Sequence, residues 1–222
     1  MAGVSLRKKG ESLSTLLLVR HGETELKSSL RYWGYTDVKL STLGIKQAGR
    51  LRDLLAAEKI GAIYSSNLKR ASATAEIIAS RHNTKVITCA ELRELNFGEI
   101  EGLTFDEVAQ RHPEVAKSWI EGDAELKYPG GESLTEFLER LTHFARHLMT
   151  LAPEETALIV SHSGSLRLLI CHLLGIGPQH WWRFRLDFGS LSILETNSRG
   201  AILKSLNHTS HLKQEEQIQG GK

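Results

Sequence analysis

Two histidines carry the strongest chemical signal in the sequence. His21 follows a short apolar run, 16–19, and stands between Arg20 and Gly22. His162 ends a second run, 157–161, and is followed by Ser163 and Gly164. Runs this short and uniformly apolar read as strands buried on both faces. Ligands of open α/β sheets gather at the carboxyl ends of such strands. Segment 65–76 reads as a strand leading into a helix that carries Arg70 about one turn in. A helix N-terminus presents free N–H groups and a positive dipole end to an anion. Segment 91–102 interleaves acidic and apolar residues and closes on glycines, the pattern of a structured loop holding carboxylates, Glu94 among them.

These residue types describe phosphoryl transfer. A neutral imidazole nitrogen attacks phosphorus without a metal, and guanidinium forks match phosphoryl oxygens. The departing alkoxide needs a proton, which a protonated carboxylic acid supplies. His21 is therefore the candidate nucleophile and Glu94 the candidate acid. Arg20, Arg70 and a protonated His162 are the candidate charge on the phosphoryl group, with catalysis resting on positioning and electrostatics. Glu94 must hold a proton near neutral pH, which burial or a neighbouring carboxylate favours; Glu91 and Glu99 are the candidates for that neighbour. No HExxH or Cys/His cluster, nucleophile elbow or Walker A loop is present, so no metal or cofactor is expected.

The elements that must position these groups follow from pattern. Residues 1–14 are expected to be a loose extension, 15–211 one domain and 212–222 a polar tail. Loop 25–40 holds Arg31, Tyr32, Trp33, Gly34, Tyr35 and Asp37 and reads as a pocket wall. Ser41 caps a helix to about 57, with Leu43, Ala48, Leu51, Leu54 and Leu55 as its apolar face. Strands are expected at 62–64 and 86–88, and two short helices, 105–111 and 115–120, are broken by Pro113. Turn 128–133 leads through Ser133 into a helix to 149; a helix over 166–174 and an antiparallel pair, 191–195 and 201–206, close the chain. The other eight histidines read as structural or exposed.

At 222 residues the chain suits an α/β domain with a sizeable core, and a net charge of +2 gives no basic field for nucleic acid. Cys89 and Cys171 are far apart, as free thiols of a reducing, cytoplasmic protein would be. No apolar run reaches membrane-spanning length.

Taken together, Arg-His-Gly-Glu-Thr at 20–24, Ser-Ser-Asn-Leu-Lys-Arg-Ala with the later Thr-Ala, Leu-Arg-Glu-Leu-Asn-Phe-Gly, Pro-Gly-Gly-Glu-Ser and Val-Ser-His resemble the histidine phosphatase superfamily, the phosphoglycerate mutase-like proteins. The resemblance runs from about 15 to 211. It implies a three-layer α/β/α sandwich on a mainly parallel sheet with a mixed edge. It also implies His21 as the phosphorylated nucleophile, Glu94 as proton donor, and Arg20, Arg70 and His162 as the phosphate pocket. Gly22, Lys27, Trp33, Gly34 and Ser163 are further candidates for contact with substrate. Two positions depart from the family pattern: Lys27 stands where an asparagine is common, and Ser163 where a glycine is common.

The segment between the carboxylate loop and the Pro-Gly-Gly-Glu-Ser turn is short and offers only Arg111, Lys117 and Lys127. A mutase needs more cations there for a second phosphate, so a phosphatase of small-molecule phosphomonoesters is favoured. Stretch 181–190 looks like the corresponding stretch of α-ribazole phosphatases of cobalamin assembly, with Trp33, Tyr35 and Trp119 available to stack on a benzimidazole. A broad phosphatase of sugar phosphates, phosphoglycerate or phosphoserine is the alternative. A mutase or a non-catalytic phosphate-binding regulator fits less well, because His21 and Glu94 are both present. The oligomeric state is open, a homodimer included.

Overall fold

Strand β1 (Ser14–Arg20) alternates its side chains between two apolar layers, and the domain is built on that alternation. Leu16 and Leu18 enter one core cluster, Leu17 and Val19 the other. The computed structural model describes residues 13–26, 31–123, 126–197 and 200–213. Beside β1 lie β2 (Ala62–Ser66), β3 (Val86–Cys89), β4 (Thr156–Ser161), β5 (Leu191–Asn197) and β6 (Gly200–His208). They form a mixed sheet in the order β3-β2-β4-β1-β5-β6. β1, β2, β3 and β4 run parallel, and β5 and β6 add an antiparallel edge.

Helices α1 (Thr42–Leu55) and α2 (Lys69–Ala79) cover one face through Leu51, Leu55, Ala71, Ala75 and Ile78. The other face is covered by α5 (Leu134–Leu148) and α6 (Ser163–Leu174), with the short α3 (Phe105–Arg111) and α4 (Pro113–Glu121) beyond them. The result is a three-layer α/β/α sandwich. Phe137 and Leu141 are fully buried on α5, each worth roughly 1.5–3 kcal/mol relative to exposure. Ser133 and Glu136 close a capping box at its start.

Three expectations shift. Leu43 and Leu54 face solvent, at 49% and 41% exposed, because the buried stripe of α1 runs Gly44, Ala48, Leu51, Leu55 at helical spacing. Arg70 is the second residue of α2 rather than a turn inside it. Leu212, assigned to the polar tail by composition, is docked: its carbonyl accepts from Arg50, while His211 Nε2 donates to Gly189 O at 3.0 Å.

The parallel register sets Arg20 opposite Ser161, so β1 and β4 end side by side. The His21 amide donates to Ser161 O at 3.0 Å, which brings the two strand-end histidines together. No helix among the described residues is long and apolar enough to cross a membrane.

Candidate active site

His21 and His162 lie edge to face, ring centroids 5.0 Å apart, and both are buried. His21 Nδ1 donates to Gly22 O at 2.7 Å, a bond a carbonyl can only accept, so Nε2 keeps its lone pair. Burial pushes the His21 imidazole well below the ordinary histidine range, with Arg70 and then Arg20 adding to the effect. The ring therefore stays neutral at neutral pH.

Arg20 donates to Leu186 O at 2.6 Å and stacks on Phe188, its guanidinium carbon 3.8 Å from the ring centroid. Burial lowers its pKa to about 10, which leaves it cationic at neutral pH. Arg70 is buried and fastened at three points. Its Nε donates to His162 Nδ1 at 3.1 Å, Nη1 to Thr36 O at 2.8 Å and Nη2 to Gly34 O at 2.6 Å. Gly34 is required where it stands, because a Cβ there would lie 1.9 Å from Leu95 O.

Glu94 sits in the 91–102 loop, 8% exposed. Its carboxylate accepts from the backbone at the start of α6, Gly164 N at 2.9 Å and Ser165 N at 3.2 Å, and from Leu95 N at 3.0 Å. Arg140 of α5 holds the loop from behind, donating to the carbonyls of Glu91, Arg93 and Glu94 and to the carboxylate of Glu132.

These five residues line one cavity of about 610 Å³. Its remaining wall includes Leu26, Arg31, Trp33 and Val38 on one side and Asp187, Phe188 and Leu212 on the other. Buried imidazole, two guanidiniums and a carboxylate around one cavity form a site for the ester of a phosphate.

The family model described as histidine phosphatase superfamily (branch 1) matches residues 16–209. The chain belongs to that family. It is 36% identical over 197 residues to phosphoserine phosphatase 1 of Hydrogenobacter thermophilus, covering 89% of this chain and 93% of the relative. It is 32% identical over 192 residues to the adenosylcobalamin/alpha-ribazole phosphatase of Escherichia coli, covering 86% and 95%. The crystal structure of the alpha-ribazole phosphatase from Shigella flexneri superimposes with a TM-score of 0.80 at 33% identity, over 87% of this chain and 96% of that one. The protein is a phosphatase of the histidine phosphatase type.

In this histidine phosphatase Arg70 Nε–H points at Nδ1 of His162, and burial and then Arg70 push the ring well below the ordinary histidine range. Gly22 and Gly34 act through their carbonyls, and Gly22 N donates to Thr74 Oγ1 at 3.2 Å. Ser163 opens α6 in helical conformation and is absent from the cavity wall, so the position needs no glycine turn. Lys27 lies outside the described residues.

The aromatic set does not converge. Trp33 lines the cavity, but Tyr35 lies beside Arg93, 5.1 Å from its guanidinium carbon. Trp119 belongs to a separate cavity of about 520 Å³, with Tyr32, Phe97, Tyr128 and Trp181. The ring of Phe188 instead lies beside His21, 5.5 Å between centroids. Nor does either suggested carboxylate stand by Glu94: Glu91 faces His143 at 3.8 Å, and Glu99 is exposed. Arg111, Lys117 and Lys127 are exposed and off the cavity wall.

Sequence reasoning missed the supports. Glu101 accepts from the backbone of Tyr35 and Thr36, fixing the loop whose carbonyls fix Arg70. Glu132 accepts from Asn96 N at 2.8 Å and pairs with Arg140. Glu132 was visible as the acid of Pro-Gly-Gly-Glu-Ser; nothing local marked Arg140 as its partner.

Proposed function

We propose that this protein hydrolyses small-molecule phosphomonoesters without a metal, through a phosphohistidine on His21, with α-ribazole 5′-phosphate as substrate. The observation that carries the chemistry is the His21–Gly22 hydrogen bond, which leaves Nε2 unprotonated between two arginines. Nε2 attacks phosphorus as the ester P–O bond breaks, and the leaving alkoxide takes a proton from Glu94. Water then attacks the phosphohistidine and gives its proton to Glu94, releasing phosphate and restoring His21. Arg20 and Arg70 balance the charge on the phosphoryl oxygens throughout. Glu94 fits the acid–base role better than the other carboxylates of the cavity. Of the three it is the buried one, whereas Glu23 accepts from Ser41 Oγ and Asp187 from Arg185 and Asn207.

For the leaving group, Leu26, Trp33, Val38, Phe188 and Leu212 offer an apolar wall that suits a ribosyl-benzimidazole. Phosphoserine is the second reading, favoured by the Glu23 and Asp187 carboxylates on the same cavity, which would face its ammonium group. The test is kcat/KM in EDTA for α-ribazole 5′-phosphate, phosphoserine, 3-phosphoglycerate and fructose bisphosphates, with His21→Ala as control. A preference of several orders of magnitude for the first compound supports the reading; similar values across the panel make the enzyme a generalist. Turnover retained by His21→Ala overturns the phosphohistidine.

A further inference from the structure

Gly22 follows His21 and joins two peptide units, each held from a different helix. The first, 21–22, has its N–H bound to Thr74 Oγ1 of α2 at 3.2 Å. The second, 22–23, has its N–H, that of Glu23, bound to Oε1 of Gln47 at 2.8 Å. A backbone N–H can meet only the oxygen of a side-chain amide, so the orientation of the Gln47 amide is fixed. Gln47 lies on α1, one turn after Gly44, and a Cβ on Gly22 would come within 2.4 Å of Gly44 O. The close approach therefore demands glycine at 22, and glycine is the residue whose backbone turns over most freely. The 22–23 peptide has to be held from outside the turn.

We propose that Gln47 is a positioning residue for the phosphatase reaction: by holding the Glu23 N–H it aims Gly22 O at Nδ1 of His21. A trans peptide is planar, with its N–H and its C=O on opposite sides. With the N–H turned to Gln47, the carbonyl of the same unit points the other way and accepts Nδ1–H at 2.7 Å. Turned over, the unit would present its N–H to Nδ1, which would then have to carry the lone pair. The ring proton would move to Nε2, and that nitrogen would lose the electron pair with which it attacks phosphorus. The neighbouring bonds do not supply this control. Thr74 grips the preceding peptide, and Ser41 N, bound to Glu23 O at 2.9 Å, grips the following one. Gln47 also lines the cavity, so a direct contact to the leaving group is the rival role that the test must separate. The inference rests on the proposed role of His21 as the nucleophile.

The experiment is 15N NMR of histidine side chains in the full chain, with His21 assigned by the loss of its signals in His21→Ala. The expected wild-type result is one protonated ring nitrogen, Nδ1. A proton on Nε2, alone or with a second on Nδ1, overturns the proposal without need of any variant. In Gln47→Met, which keeps the length of the side chain and loses the acceptor, the Nδ1–H form is expected to give way to a mixture. There kcat/KM is expected to fall about 10- to 100-fold, the cost of a reacting group held out of line. The fall is expected to be alike for p-nitrophenyl phosphate and for the larger esters, since the change lies in the nucleophile. Losses that differ widely between those substrates would make Gln47 a contact to the leaving group and overturn the positioning role. Gln47→Glu, which keeps an acceptor at the same place, is expected to retain the Nδ1–H form. A mixture there as large as in Gln47→Met, a loss of activity in Gln47→Met with the tautomer unchanged, or a changed tautomer with full activity refutes the role. Trapping of phosphohistidine on His21 reads the underlying reaction separately: if none forms in the wild type, the proposed function fails while the tautomer comparison still stands.

Discussion

The Glu94 carboxylate is packed onto the backbone of Gly164 so closely that a Cβ at position 164 would lie 2.4 Å from Oε1. The first turn of α6 therefore has two tasks. It carries His162 into place as its N-cap, and it supplies the amides that hold the candidate acid.

Gly164→Ala is accordingly expected to push Glu94 out of line rather than to unfold α6, where alanine is a better helix former than glycine. A displacement near 1 Å at a reacting group costs roughly 100-fold in rate. Steady-state kinetics beside a thermal melt would show kcat/KM down by about that factor with Tm little changed; a normal rate would show that the carboxylate need not sit where it does.

Glu94→Gln separates proton donation from binding. For an alkyl phosphate, loss of the acid is expected to lower kcat/KM, which reads the steps up to phosphohistidine formation and not its hydrolysis, by about 10²–10⁴. For p-nitrophenyl phosphate, whose leaving group departs without a proton, the loss is expected to be much smaller. Equal losses on both substrates would remove Glu94 from the acid's role.

The depressed histidines make stability acid-sensitive. His21 and His162 are held neutral by burial, below their ordinary value of 6.5. As pH falls below 6.5 the unfolded chain takes up protons that the folded one refuses. The stability present above 6.5 is then lost at up to about 1.4 kcal/mol per pH unit for each ring. Half-buried His211 is depressed too and adds to this window. Urea midpoints at pH 7.5 and 5.5 are expected to differ less in His21→Ala than in the wild type. A difference unchanged by the substitution would mean that His21 takes up its proton over the same pH range folded as unfolded.

Arg140 and Glu132 form a largely buried pair, their side chains 18% and 13% exposed. Arg140→Met takes the charged donor away from Glu132 and from three carbonyls of the Glu94 loop, leaving Glu132 only its bond from Asn96 N. The expected cost is about 3 kcal/mol or more, with kcat/KM reduced as the loop loosens. Adding Glu132→Gln is expected to recover part of the stability, by removing the orphaned charge, without recovering the rate. Urea denaturation and kinetics on both variants check the pair.

How much was legible in the sequence can be read from these same residues. The two buried strand ends, Arg20-His21 and His162, and the candidate acid Glu94 follow from local pattern, while the three-layer fold follows from the resemblance of the ordered motifs to a known family. Apolar runs, glycines and caps constrain the backbone within a few residues of themselves. Which nitrogen of His162 carries a proton, which face of α1 holds Leu43 and Leu54, and where Trp119 points depend on neighbours distant in the chain. Arg70 and His162 are 92 residues apart and Arg140 and Glu94 are 46 apart. Local spacing carries no information about such pairs. The sequence by itself determined the chemical groups and the strand ends that present them. Only the tertiary structure decided that Nδ1 of His162 meets the Arg70 Nε–H and that Phe188, not Trp119, stands beside His21. Protonation and packing are set by what surrounds a side chain in space, and that is established only when the layers close.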